Sequence, residues 1–133
     1  MLLSEIMTTR LISITRKDPV LRAHQILQKL PIHHILVVEE GQLLGIISDR
    51  DVLRHVSPYL NTPHETKRDK ERMLEPAESI MTKNPITIPV SNGVREAARL
   101  MVKNNISLLP VVDASNTLIG VISWKDVLRY LAD

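Results

Sequence analysis

The sequence predicts a mixed α/β (α+β) fold built from two β-α-β-β-α repeats packed with pseudo-two-fold symmetry. Three observations predict it. The segment GIISDRDVLR, Gly45 to Arg54, returns as GVISWKDVLR at Gly120 to Arg129. Ile6-Met7-Thr8 returns as Ile80-Met81-Thr82, and Ile14, Ala23, Lys29, Ile32 and Val37-Val38 have partners at the same offset in Ile88, Ala97, Lys103, Ile106 and Val111-Val112. Within each copy, short apolar runs alternate with stripes of helical period. Such a layer leaves one apolar face uncovered, and two copies can bury it together.

The first repeat takes residues 1–57, a charged and helical linker 58–78, and the second repeat 79–133. In the first repeat Leu11 to Ile14 reads as extended. Asp18-Pro19 predicts a helix start, with Asp as N-cap and Pro in the first turn. Val20, Ala23, Ile26, Leu27 and Leu30 form one apolar stripe, and Pro31 ends it. Ile35 to Val38 reads as a buried strand, Glu39 to Gln42 as a turn, and Leu43 to Ile47 as the next strand. Ser48 then opens a helix running to about His55. The second repeat follows the same order, with Ile86 to Ile88, the stripe Val94, Ala97, Ala98 and Met101, the strands at Val111-Val112 and Leu118 to Ile122, and a last helix from Trp124 to Leu131. In the linker, Thr62-Pro63-His64-Glu65 predicts a further capped helix start. The run Lys67 to Arg72, in which Asp69 and Glu71 interrupt the bases, reads as a solvated bridging helix, with a regulatory or partner-binding arm as the sharper alternative.

Composition narrows the function classes. At 133 residues and 44% hydrophobic, the chain can bury a core without disulfides. It has no Cys, so thiolate chemistry and Cys-based metal sites are excluded. No apolar run approaches the ~20 residues of a membrane span, and Met1 to Met7 has no signal-peptide pattern. A cytoplasmic protein is the expectation. The core must be aliphatic, since the only aromatics are Trp124, Tyr59 and Tyr130. A net charge of +2 makes the basic pI weak evidence for a nucleic-acid partner.

The repeated signature carries the chemistry. Ser48 is followed three residues later by Asp51, and Ser123 by Asp126. Ser-x-x-Asp ahead of an apolar run is a capping box, in which hydroxyl and carboxylate satisfy backbone N–H groups at a helix start. That structural job accounts for all four residues. The same strand-to-helix junction also offers polar groups and backbone N–H groups to a phosphate or sugar, and the two jobs are compatible. His33-His34 invites a metal reading, but neighbours on an extended chain point to opposite sides, so a structural role or contact with a ligand is preferred. Trp124 reads as packing at an interface. No nucleophile–base arrangement or glycine-rich phosphate loop is present, and catalysis is not expected.

These residues also carry a family resemblance. Two tandem units, each opening on Ile-Met-Thr and ending in Gly-apolar-apolar-Ser-x-x-Asp, with Leu109-Pro110-Val111-Val112-Asp113 at the central strand, resemble a tandem pair of CBS domains, the Bateman module. Without an attached enzyme or channel domain, the chain is similar to stand-alone CBS-pair proteins, including the type associated with acetoin utilisation. The resemblance implies a regulatory function with no enzyme activity and no tightly bound cofactor. The implied ligand is AMP, ADP or ATP, with S-adenosylmethionine as a further candidate. It assigns ribose hydroxyls to Asp51 and Asp126, ribose or phosphate to Ser48 and Ser123, and phosphate to Arg50 and Lys125. Adenine would face the main chain at His33, His34 and Ile35 and at Ser107, Leu108 and Leu109. In the family these halves cross over, Asp126 working with the His33 region and Asp51 with the Ser107 region. Homodimers are common in it.

Two departures stand out. Leu36 replaces the proline that the second copy has at Pro110. Asp49 stands where the second copy has Trp124, so the first signature is more acidic and less suited to phosphate. The alternatives to an adenylate sensor are a ligand-independent dimeric scaffold and a nucleic-acid binder using the basic linker.

Overall fold

The computed structural model describes residues 2–133. In chain order the elements are α1 (Leu3–Ile6), β1 (Ser13–Ile14), α2 (Val20–Lys29), β2 (His34–Glu39), β3 (Gln42–Ser48), α3 (Asp49–His55), α4 (Lys67–Met73), β4 (Thr82–Lys83), β5 (Ile88–Pro89), α5 (Val94–Asn104), β6 (Leu108–Val112), β7 (Leu118–Ser123) and α6 (Trp124–Ala132). The six helices and two sheets are the mixed α/β class the sequence predicts. The chain forms two compact units. The first is Ile12–Pro85; the second joins the residues up to Leu11 to Ile86–Asp133. No helix among the described residues is long and apolar enough to cross a membrane.

In the first unit β1 runs parallel to β2, reached through α2, and β3 returns antiparallel. The β2–β3 turn places Glu40 and Gly41 at φ 51° and 78°. A two-residue hairpin with both central residues at positive φ twists with the strands, and Gly41 adopts that conformation without a Cβ penalty. β4 completes the sheet on the far side of β3, with Gly45 opposite Lys83 and Ile46 opposite Thr82. The core is Ile14, Ala23, Ile35, Val37, Ile47, Val52 and Ala77, all buried. In the second unit β5 lies parallel to β6, and β6 pairs antiparallel with β7. Its core contains Leu3, Ile88, Ala97, Leu109, Val111, Ile122 and Val127.

The two cores match position by position, Ile14 with Ile88, Ile35 with Leu109, Ile47 with Ile122. The offset that relates Ile14 to Ile88 also aligns Leu3 with Ala77, but these two have changed places. Leu3, from the opening of the first sequence repeat, is buried in the second unit; Ala77, ahead of the second repeat's Ile-Met-Thr, is buried in the first. Thr8 exchanges two backbone hydrogen bonds with Val121, at 2.8 and 2.9 Å. The second compact unit is therefore discontinuous in sequence, while the first is one continuous stretch.

Two helix starts differ from expectation. Asp18 does not cap α2: its Oδ2 accepts the Thr15 N–H at 2.8 Å, and Pro19 is the N-cap residue with no side-chain bond. The carboxylate serves the turn before the helix instead. The linker helix starts not at Thr62 but at Thr66, whose Oγ1 accepts the Asp69 N–H while Asp69 Oδ2 accepts the Thr66 N–H. Glu65, expected to close the Thr62 box, instead accepts the Asn61 N–H and pairs with Lys70 at 3.2 Å. Nor is α4 wholly solvated. Met73 is buried, and the half-buried His55 donates from Nε2 to the Arg72 carbonyl at 2.8 Å, with Glu75 Oε2 at 3.2 Å. Those contacts tie the linker to the end of α3.

Candidate functional site

Each unit builds the same junction where a strand ends and a helix begins. In the first unit β3 delivers Ser48, paired with His34 on β2, to the N-cap of α3. The Ser48 N–H donates to Asp51 Oδ2 at 2.8 Å, and the Asp51 N–H donates to Ser48 Oγ at 3.1 Å. The first helical N–H, that of Asp49, donates to the His33 carbonyl at 2.9 Å. In the second unit β7 delivers Ser123, paired with Leu108, to the N-cap of α6. Ser123 and Asp126 form the same box at 2.8 and 3.2 Å, with a third bond from Ser123 Oγ to Asp126 Oδ2 at 3.1 Å. The Trp124 N–H donates to the Ser107 carbonyl at 3.0 Å. The first and third N–H groups of each helix thus already have internal partners, fewer free donors than the motif alone suggests.

Each unit therefore brings its own signature residues beside its own strand start. Ser48, Arg50 and Asp51 lie with His33 and His34; Ser123, Lys125 and Asp126 lie with Ser107 and Leu108. Ile35 and Leu109 are fully buried core residues, which leaves only their backbone to a ligand. Arg50 and Lys125 are exposed at the second helical position.

The carboxylates share a division of labour that the sequence motif did not reveal. In both, Oδ2 serves the capping box while Oδ1 faces an arginine one turn on: Arg54 at 3.8 Å from Asp51, Arg129 at 3.4 Å from Asp126. The Arg that closes each repeated decapeptide was the available signal. These pairs are loose, so the outer oxygen is the part of each carboxylate that a hydroxyl donor can take over. The linker offers an internal comparison. Thr66 and Asp69 make the same box, with neither a preceding strand nor an adjacent strand start. The box alone is a helix cap; the junction around it is what the two repeats add.

The junctions differ in their side chains. In the first unit His33 Nδ1 donates to Asp49 Oδ2 at 2.9 Å. That hydrogen bond holds the Asp49 carboxyl below its usual range, with partial burial opposing it. Burial pushes the His34 imidazole below its ordinary value, against the attraction of Asp49. In the second unit Ser107 and Trp124 occupy the equivalent positions, and Lys125 Nζ lies 5.8 Å from the Trp124 ring centroid. No group of three His, Cys, Asp or Glu suited to a metal ion occurs among the described residues.

Paired strand–helix junctions on two internally repeated α/β units define a tandem-repeat module of the kind the sequence resembles. The CBS domain family model matches residues 3–58 and 77–133, and the chain belongs to that family as a tandem pair. A CBS domain-containing protein of Dictyostelium discoideum is 38% identical over 132 residues, covering 98% of this chain and 90% of that protein. Two further relatives, uncharacterized proteins of Methanocaldococcus jannaschii, are each 32% identical, and the matches cover only 42% and 32% of their lengths. Among solved structures, the CBS domain pair of protein MJ0100, in complex with 5′-methylthioadenosine and S-adenosyl-L-methionine, superposes with a TM-score of 0.77 at 29% identity, covering 99% of this chain and 96% of that one. CBSX2 in complex with AMP gives 0.79 at 25%, with 98% and 96% covered. A putative acetoin utilization protein of Vibrio cholerae gives 0.81 at 25%, with 99% and 90% covered. The resemblance to the acetoin-associated type thus has a structural counterpart.

Proposed function

We propose that this chain is a regulatory module that senses an adenosine-containing ligand. The observation that carries the reading is the half-committed carboxylate, present twice: Asp51 and Asp126 each hold a helix start with one oxygen and keep the other in a loose arginine pair beside a strand start. A ribose diol needs such an acceptor, and the adenosine ligands of MJ0100 and CBSX2 supply the chemical class. Arg50 and Lys125 are the cations available to a phosphate, Ser48 and Ser123 the hydroxyls. An occupied site would transmit by stiffening the junction between strand and helix.

The test is calorimetric titration with AMP, ADP, ATP and S-adenosylmethionine. Removing a charge-assisted pair of hydrogen bonds costs about 1.5–3 kcal/mol, so Asp51→Ala or Asp126→Ala should weaken its own site roughly 10- to 100-fold. Alanine also opens the capping box at about 1 kcal/mol of stability. Asp51→Asn and Asp126→Asn keep an acceptor for the serine N–H and isolate the binding effect. No heat with any of the four ligands, in folded protein, sinks the proposal.

We also propose a homodimer. Leu128 and Leu131 on α6 are 52% and 69% exposed, and Leu53 on α3 is 71% exposed. Leu128 and Leu131 stand three residues apart on one helix, where neighbouring side chains form an apolar strip that a partner surface can cover. Sedimentation velocity should find a dimer in the wild type, and Leu128→Glu with Leu131→Glu should shift it to monomer. A monomeric wild type at micromolar concentration removes this part. The basic linker gives nucleic acid little support, because Lys67 and Lys70 pair with Glu71 and Glu65.

A further inference from the structure

We infer that Met7 and Met81 are a matched pair of oxidation sites. Sulfoxide formation there, with a hydroperoxide as oxidant, releases the opening segment of each repeat from the strand that carries the signature. The inference stands apart from the adenosine reading and needs no ligand.

The two thioethers hold equivalent places. In the first unit Met81 precedes Thr82, which lies opposite Ile46 on β3. In the second unit Met7 precedes Thr8, whose N–H donates to the Val121 carbonyl on β7 at 2.8 Å. Each sulfur lies over a glycine of that strand. A Cβ at Gly45 would meet Met81 Sδ at 2.5 Å, and one at Gly120 would meet Met7 Sδ at 2.6 Å. The thioether thus fills the space a side chain would take, and it packs against the core of its unit. The ladder it covers is short: β4 has two residues, and Thr8 meets Val121 at an isolated bridge. So short a pairing depends on the packing above it.

Accessibility separates these methionines from the others. Four lie among the described residues. Met73 and Met101 are buried, at 2% and 6% exposure, whereas Met7 and Met81 are half-buried. A partly exposed thioether lets a peroxide reach a sulfur lone pair; a buried one needs the chain to open first. The chain has no Cys to react ahead of them.

The sulfur lone pair attacks one peroxide oxygen and the O–O bond breaks. The departing hydroxide takes the proton from the transferred oxygen and leaves as water. Sulfur loses two electrons, and the peroxide gains them. The product is a polar, chiral side chain in place of a flexible apolar one. Against a glycine Cα the new S–O dipole finds no hydrogen-bond donor, so the side chain turns out to water and uncovers the strand.

The experiment treats the full chain with hydrogen peroxide at neutral pH and follows it by peptide mass spectrometry and hydrogen exchange. Met7 and Met81 should gain oxygen before Met73 and Met101. Amide exchange at Thr8 and Val121, and at Ile46 and Thr82, should then quicken about tenfold, the scale of disturbing one packed contact. Methionine sulfoxide reductases should restore the original rates. Leucine conserves the volume of methionine and does not oxidise. Met81→Leu should therefore confine the response to Thr8 and Val121, and Met7→Leu to Ile46 and Thr82, with circular dichroism checking that each variant is folded. The inference is overturned if Met73 and Met101 oxidise as fast, or if Met7 and Met81 oxidise with exchange unchanged. It also falls if the chain carrying both leucines shows the same acceleration. The order of oxidation and its reversal are read on the wild type, so they hold whatever the variants do.

Discussion

Gly45→Ala should destabilise the first unit by about 2 kcal/mol, the scale of forcing an extra methyl into a packed site. The sign is the informative part. Alanine in a strand interior ordinarily improves on glycine by roughly 0.5–1 kcal/mol, because glycine loses more freedom on folding. Here a Cβ would meet Met81 Sδ at 2.5 Å and the Thr82 carbonyl oxygen at 2.8 Å. The thioether can swing aside. The carbonyl cannot move without disturbing the β3–β4 ladder, where Gly45 lies opposite Lys83. At Gly120 the equivalent Cβ meets Met7 Sδ at 2.6 Å but the Thr8 carbonyl only at 3.1 Å. Gly120→Ala should therefore cost less, about 1 kcal/mol. Adding Met81→Ala to Gly45→Ala should not restore full stability, since the carbonyl remains. Urea denaturation measures all three; a Gly45→Ala chain as stable as wild type would mean that the opening of the second repeat does not rest on β3. The candidate site is close by, because Ser48 ends the same strand.

The glycine was plain in the sequence as part of the repeated decapeptide, yet its reason was not. Repetition exposes what two copies share, so the strands, helices and capping boxes of the signature could all be read from residue types. It does not say which copy a segment packs against. Ile6-Met7-Thr8 and Ile80-Met81-Thr82 look like the first residues of their own repeats, and only the backbone pairing of Thr8 with Val121 and Thr82 with Ile46 places them in the other unit. The linker failed for a related reason. Thr62-Pro63-His64-Glu65 and Thr66-Lys67-Arg68-Asp69 are both capped helix starts on paper, and local sequence could not choose between them. The later box lets α4 bury Met73 and meet His55. At the site, Asp51 and Asp126 were legible because they recur. The His33–Asp49 bond was hidden because it joins residues that do not recur, across a strand whose register the sequence leaves open.

Leu3→Ala should cost about 3 kcal/mol, although it is the third residue of the sequence. Terminal residues usually tolerate change, because few are packed. Leu3 is an exception: it is fully buried within the core of the second unit, where α1 packs against β7 and α6. Leucine-to-alanine changes at such sites cost about 2–5 kcal/mol, from lost transfer energy and the cavity left behind. Leu2, its neighbour, is 57% exposed, and Leu2→Ala should stay within about 0.5 kcal/mol of wild type. The contrast tests which unit owns the opening segment. If the segment were a loose leader, both substitutions would be silent; if it completes the second unit, only Leu3→Ala is damaging. The consequence reaches the proposed ligand site, since β7 ends at Ser123 and α6 carries Asp126. In conditions where the Leu3→Ala chain is still folded, exchange of the backbone amides of Val121 and Ile122 should speed up, while those of Ile46 and Ile47 in the first unit keep wild-type rates. Equal acceleration in both units would show instead that α1 has no local role and that the loss is global.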